Sequence, residues 1–246
     1  MRRVRGLGWA ALAATLLASA GCAVWQVGQA AELARRSEPF EQRPAAATRR
    51  LLIVGDSTAV GTGASSAAHS LAGLIAQQHP LLTIENRARD GAKLADVADQ
   101  LLRPGRFDIV LVQAGGNDVI RLRGIDDMRT DIDSVLDAAR QRADVVILMP
   151  AGNVGNAPFF FAPLSWWMTA RAREMHRLGA RAAARSKAVY VNLFHERDDD
   201  PFVRDPGLNA DDGLHPSDAG YRVWWQALQE QADLSARLVA SKAAAH

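Results

Sequence analysis

The 246-residue chain contains one cysteine, Cys22. A single thiol excludes an intramolecular disulfide and any thiolate metal cluster. No His-Glu-x-x-His segment occurs, and the glycines between Gly55 and Gly63 are not followed by Gly-Lys-Ser/Thr. Neither a zinc-protease helix nor a phosphate-binding loop is therefore encoded. A basic surface is missing too. The formal charge of +2 includes Arg2, Arg3 and Arg5, without which it falls to −1, so no nucleic-acid partner is implied. There is no internal repeat, and no linker interrupts the middle of the chain. One domain over residues 49–240 is expected.

The N-terminus differs in character. Three arginines precede an apolar run from Leu7 to Leu17, and Ala18-Ser19-Ala20 has the small-x-small form of a signal-peptidase site. Apolar and small residues continue to about Val27, long enough for an uncleaved anchor. Ala20-Gly21-Cys22 resembles a lipoprotein signal, although Ser19 stands where such signals usually carry Leu. Residues 1–30 are thus read as a signal peptide or membrane anchor, residues 31–48 as a polar tether and residues 241–246 as a tail. The expected location is outside the cytoplasm: periplasmic, anchored facing the periplasm, or secreted, with membrane association through the N-terminus.

Within the domain, short apolar runs alternate with helical spacing. Leu51 to Val54, Leu81 to Glu85, Ile109 to Gln113, Val145 to Met149 and Val189 to Leu193 read as strands. Helices are expected over Ser66 to Gln78, Leu94 to Leu102, Asp126 to Gln141, Ser165 to Ser186 and Ser217 to about Leu238. Five strands separated by helices imply a parallel sheet, and right-handed crossovers make it a three-layer α/β/α sandwich. Ligands of such sheets bind beyond the carboxyl ends of the strands. The chemically capable residues fall at those ends: Ser57 after the first strand, Gly91 after the second, Asn117 after the third, Asn153 after the fourth, and Asp212 with His215 after the fifth.

Each of these residues has a bland reading. Gly55-Asp56-Ser57 would suit any strand-to-helix turn, Asp90-Gly91 is an ordinary turn, and a loop asparagine such as Asn117 usually serves its own backbone. A serine becomes a nucleophile only when a base removes its proton and donors hold the oxyanion that follows. Asp212-x-x-His215 is the most specific candidate for that base, because a turn of three residues brings carboxylate and imidazole to one rim. His195 also follows the fifth strand but lacks that context, and His176 lies within a helical pattern. Asp198-Asp199-Asp200 and Asp211-Asp212 offer an acid-rich alternative, read here as solvated loops. Neither a metal nor a cofactor is expected.

Taken in order, Gly55-Asp56-Ser57, Asn86 to Gly91, Gly115-Gly116-Asn117-Asp118 and Asp212-Gly213-Leu214-His215-Pro216 resemble the GDSL lipase and esterase family in its SGNH hydrolase form, over roughly Arg50 to Leu238. The resemblance implies a flavodoxin-like fold and a serine esterase that forms an acyl-enzyme. Ser57 would be the nucleophile, His215 the base and Asp212 its support, with an oxyanion hole from Ser57, Gly91 and Asn117. Thr58 departs from the family pattern, which has Leu there. The family spans lipases, arylesterases, thioesterases and carbohydrate deacetylases. The expected substrate is a small-molecule, lipid or acylated-glycan ester of the cell envelope. Acyl transfer or deacetylation on envelope glycans, and non-catalytic glycan or lipid binding, are the alternatives.

Substrate choice is left to the connection after the fourth strand. Asn153 and the aromatics Phe159, Phe160 and Phe161 are the candidate binding residues, with Trp166 and Trp167 opening a helix expected to cover the sheet. The aromatics could equally pack as core or meet a membrane.

Overall fold

The structure, a computed structural model, describes residues 28–240. The expected signal, anchor or lipidation features up to residue 27, Cys22 included, and the tail at 241–246 lie outside them. Among the described residues no helix is long and apolar enough to cross a membrane.

Five parallel strands, β1 (Arg49–Gly55), β2 (Leu82–Asn86), β3 (Ile109–Gln113), β4 (Val145–Leu148) and β5 (Val189–Tyr190), form one sheet in the order β2-β1-β3-β4-β5. The helices in chain order are α1 (residues 28–36), α2 (Ser57–Val60), α3 (Leu71–Gln78), α4 (Leu94–Gln100), α5 (Gly116–Ile120), α6 (Ile125–Arg140), α7 (Leu164–Ser186), α8 (Pro201–Arg204), α9 (Asp218–Ala232) and α10 (Leu234–Ala240).

Side chains of a strand alternate between the two faces of a sheet, and a sheet covered on both faces reads as a continuous apolar run. That is why β1 carries four apolar residues in succession. Leu52 and Val54 join Val110, Val112, Val146 and Leu148 in a core with residues of α4, α6 and α7. Leu51 and Ile53 join Ile84, Ile109, Leu111 and Ile147 on the opposite face with residues of α3, α9 and α10. Helix spacing matches: α6 buries Met128, Ile132, Val135, Leu136 and Ala139, a stripe with the 3.6-residue period.

Several boundaries differ from the sequence expectation. The helix expected over Ser66 to Gln78 is split, because Ser70 is extended and its hydroxyl caps α3 by accepting from the Gly73 N–H. Asp233 takes a left-handed conformation and divides the expected last helix into α9 and α10. The fifth strand stops at Tyr190 rather than Leu193. Beyond it the Gln231 amide takes the place of a neighbouring strand, accepting from the Asn192 N–H at 2.7 Å and donating to its carbonyl at 3.0 Å.

Residues 31–48 lie against the domain. Residues 28–36 are helical. Gln42 forms an antiparallel bridge with Ile84 on the outer edge of β2, its N–H and carbonyl bonded at 3.0 and 2.8 Å. Its side-chain amide donates to the Leu82 carbonyl at 2.8 Å, and Phe40 packs on the core.

Candidate active site

At the end of β1, Gly55 has φ +156°, and a Cβ there would stand 2.0 Å from the Gln113 carbonyl oxygen. Only glycine permits that approach. The Gln100 side chain bonds both Gly55 backbone groups, accepting at 2.8 Å and donating at 2.9 Å. The chain then turns into α2, capped by Asp56, whose Oδ1 accepts from the Thr58 N–H at 3.0 Å and the Thr58 hydroxyl at 2.7 Å. Thr58, standing where the resemblance would put leucine, thus supplies a second donor to a buried carboxylate. Burial still pushes the Asp56 carboxyl up, against the opposing Thr58 bonds.

Ser57 begins α2, and its Oγ lies 2.9 Å from His215 Nε2. His215 Nδ1 lies 2.5 Å from Asp212 Oδ2. The other Asp212 oxygen accepts from the N–H groups of Leu214 and His215, at 2.9 and 3.0 Å. Burial alone would raise the Asp212 carboxyl, but the hydrogen bonds and the charge of His215 outweigh it and hold it below its ordinary value. A charged carboxylate accepts only, so Nδ1 carries the imidazole proton and Nε2 is left to accept from the Ser57 hydroxyl.

The two loops meet at Gly63. A Cβ there would stand 2.4 Å from the Pro216 carbonyl and 2.9 Å from His215 Cβ, and φ is +96°. Tyr221 on α9 donates its hydroxyl to the Thr62 carbonyl at 2.8 Å, and the Ser65 N–H donates to Asp218 Oδ1 at 2.7 Å. The helix that follows His215 therefore holds the loop that follows Ser57.

A cavity of about 420 Å³ opens on Ser57 and His215 and is also lined by Gly91 and Asn117. Asn117 Nδ2 donates to the Ala92 carbonyl at 3.2 Å. An amide nitrogen has two hydrogens, and the second has no protein partner among the described residues. Next to it, Asp118 is fully buried. One Asp118 oxygen accepts from the Leu94 N–H at 3.0 Å and the other has no partner among the described residues. Burial, reinforced by Asp56 and Asp131 against the Leu94 bond and Arg123, raises this carboxyl to about 6.

The remaining sequence candidates are placed differently. Asn153 lines the cavity, but its amide serves the loop, accepting from the Gly155 N–H at 3.1 Å and donating to the His195 carbonyl at 3.1 Å. Phe159, Phe160 and Phe161 do not line the Ser57 cavity. Phe160 packs on the core, Phe159 stacks edge-on against it at 4.9 Å, and Phe161 is exposed. Trp166 and Trp167 do not cover the sheet; they are 70% and 51% exposed, because α7 turns Met168, Ala172 and Met175 inward instead.

His176 is held between the Tyr190 hydroxyl at 2.6 Å and the Ala151 carbonyl at 2.8 Å, and burial lowers it to about 4. It is a neutral strut beneath the cavity loop. Asp200 caps α8 and accepts from Asn156 Nδ2 at 2.8 Å, while Asp199 pairs with Arg204. Among the described residues no three His, Cys, Asp or Glu side chains converge on a metal site. Gln100, Gly63 and the α1 alanines Ala30, Ala31 and Ala34, which also line the cavity, carried no sequence signal of their own. A glutamine inside a helix, a loop glycine and an alanine-rich stretch are too common to single out.

Comparison with known proteins matches residues 53–223 to the GDSL-like Lipase/Acylhydrolase family. No curated protein matches the sequence. Among solved structures, an alpha/beta hydrolase enzyme from the metagenome of Lake Arreo, Spain, is 20% identical with TM-score 0.60, covering 76% of this chain and 95% of that one. An extracellular lipase from Streptomyces rimosus is 19% identical with TM-score 0.56, covering 75% and 100%. A variant of an acetyl xylan esterase from Geobacillus stearothermophilus is 18% identical with TM-score 0.55, covering 75% and 94%. At these identities the structural likeness establishes the fold.

Proposed function

The chain belongs to the GDSL-like lipase/acylhydrolase family, in its SGNH form, and is an ester-bond hydrolase; from that premise we propose that it cleaves carboxylic esters through an acyl-enzyme on Ser57. The observation that carries the reading is the continuous hydrogen-bonded chain Ser57–His215–Asp212, at 2.9 and 2.5 Å, opening on a cavity.

His215 Nε2 takes the Ser57 proton as Oγ bonds to the acyl carbon, and Asp212 stabilises the imidazolium. The oxyanion lies against the N–H groups of Ser57 and Gly91 and the unused Asn117 N–H. Collapse breaks the bond to the alcohol oxygen, which leaves with the proton from His215. Water then gives its proton to His215 and attacks the acyl carbon. The second collapse releases the acid and returns the proton to Ser57.

Ile120, Val154, Leu193, Leu214 and Trp224 contribute to the cavity wall, which suits an acyl chain better than a sugar ring. We place the reaction in the cell envelope on the strength of the N-terminal arginines and the apolar run behind them. Fractionation and the mass of the mature N-terminus test the location.

p-Nitrophenyl esters from acetyl to dodecanoyl, presented to the full chain and to Ser57→Ala, test the chemistry. Hydrolysis by the first and not the second is expected. Equal activity of both would overturn the assignment, and added acceptor alcohols would divert product if the second step is transfer.

A further inference from the structure

Helix α1, residues 28–36, lies outside the residues matched to the family, 53–223. It nevertheless supplies a wall of the catalytic cavity: Ala30, Ala31 and Ala34 line the same space as Ser57 and His215. Ala30 and Ala34 are four residues apart and so share one face of the helix, both half-buried. Leu33 lines the adjoining hollow over Gly63 and Ala210. The helix thus sits on the seam where the nucleophile loop and the base loop meet.

Among the described residues no hydrogen bond or ion pair joins an α1 side chain to the rest of the domain, and Glu32 pairs only with Arg35 and Arg36 of the same helix. The helix is held by its apolar face and by the Gln42 bridge six residues beyond its end. An alanine offers one methyl group, so the space left beside Ser57 is set by what these positions lack. Any larger side chain at Ala34 would project into it.

We infer that α1 is the specificity wall of this enzyme, and that the acyl chain of a medium-chain ester, longer than acetyl, lies beneath Ala30 and Ala34. The inference rests on the esterase reading for its catalytic readout, but the wall itself is a binding surface that can be measured without turnover.

The test uses the full chain with Ala34→Trp and Ala34→Leu, and Arg35→Trp as a control, since Arg35 is exposed and lines none of these cavities. Two quantities are read: the kcat/KM ratio for octanoyl over acetyl ester, and the Kd for decanoate. Ala34→Trp is expected to lower the ratio about 10-fold or more, within the range of hydrophobic-pocket discrimination, while acetyl turnover persists. It should weaken decanoate by a similar factor, and Ala34→Leu should do so in smaller measure should the tryptophan variant not fold. The control should leave both quantities unchanged.

An unchanged ratio together with an unchanged Kd overturns the wall. No ester hydrolysis by the wild type, with decanoate still weakened by Ala34→Trp, sinks the esterase reading and leaves the wall standing. Absence of decanoate binding by the wild type, with no chain-length preference, overturns the inference outright.

Discussion

Asp212 holds His215 at two points with one carboxylate: Oδ2 meets the ring Nδ1 at 2.5 Å, and Oδ1 accepts the backbone N–H of the same residue at 3.0 Å. The second contact fixes where the histidine sits; the first fixes which nitrogen carries the proton. Asp212→Asn keeps an oxygen for the backbone and loses the charge. It is expected to lower kcat by about 10³ to 10⁴ through the wrong tautomer, with Tm nearly unchanged. Asp212→Ala should lower Tm as well, because the Leu214 and His215 N–H groups lose their acceptor. Thermal melts beside steady-state kinetics separate the two.

Ser57→Ala should abolish ester hydrolysis without unfolding, and an organophosphonate should label the wild type at Ser57 alone. Peptide mapping checks it, and label on any other serine would refute the assignment.

Asn117→Ala should reduce kcat by roughly 10² to 10³, the cost of one preorganised oxyanion donor, with a smaller change in KM. If only KM moves, Asn117 binds the ground state.

Asp118 links stability to pH. Its carboxyl is raised to about 6 from an ordinary value of 3.8, so between those values the folded protein binds a proton that the unfolded chain has lost. Its contribution to stability is fullest below that window and declines as pH rises through it. Asp118→Asn should melt close to wild type near pH 4 and above it near pH 8, by up to about 3 kcal/mol for a shift of this size. A difference that does not vary between these pH values would show that the carboxyl is not perturbed.

Phe160→Ala should destabilise by about 1 to 3 kcal/mol, less than a fully buried phenylalanine because its side chain is packed on the core but not fully covered. Phe161→Ala, Trp166→Ala and Trp167→Ala should each stay within about 0.5 kcal/mol. None should alter the preference between acetyl and octanoyl esters. A changed preference in Phe159→Ala or Phe161→Ala would return those rings to the substrate site.

The five strands and the rim that carries the candidate site were legible because burial on both faces leaves an unmistakable run such as Leu51 to Val54, and because a parallel sheet gathers its strand ends on one rim. The early end of β5 was not legible: it depends on Gln231, some 40 residues later, taking over the Asn192 backbone. The break at Asp233 is a single left-handed residue in an otherwise helical pattern. The aromatic segment misled because hydrophobicity predicts burial only on average, and here methionines and alanines of α7 fill the core. Helix α1 escaped notice because the prolines and charges behind it dominate the composition of residues 31–48. Its contact with the cavity is tertiary and has no local signature.

The sheet is open, and its margins are β2 and β5. Both are met by a glutamine: Gln42 against Ile84 and Leu82, Gln231 against Asn192. A strand from another molecule would have to displace a side-chain amide that already mimics a peptide group. The molecule thereby carries a partial plug at the β2 margin and another just past the end of β5, and edge-to-edge stacking would first have to dislodge them.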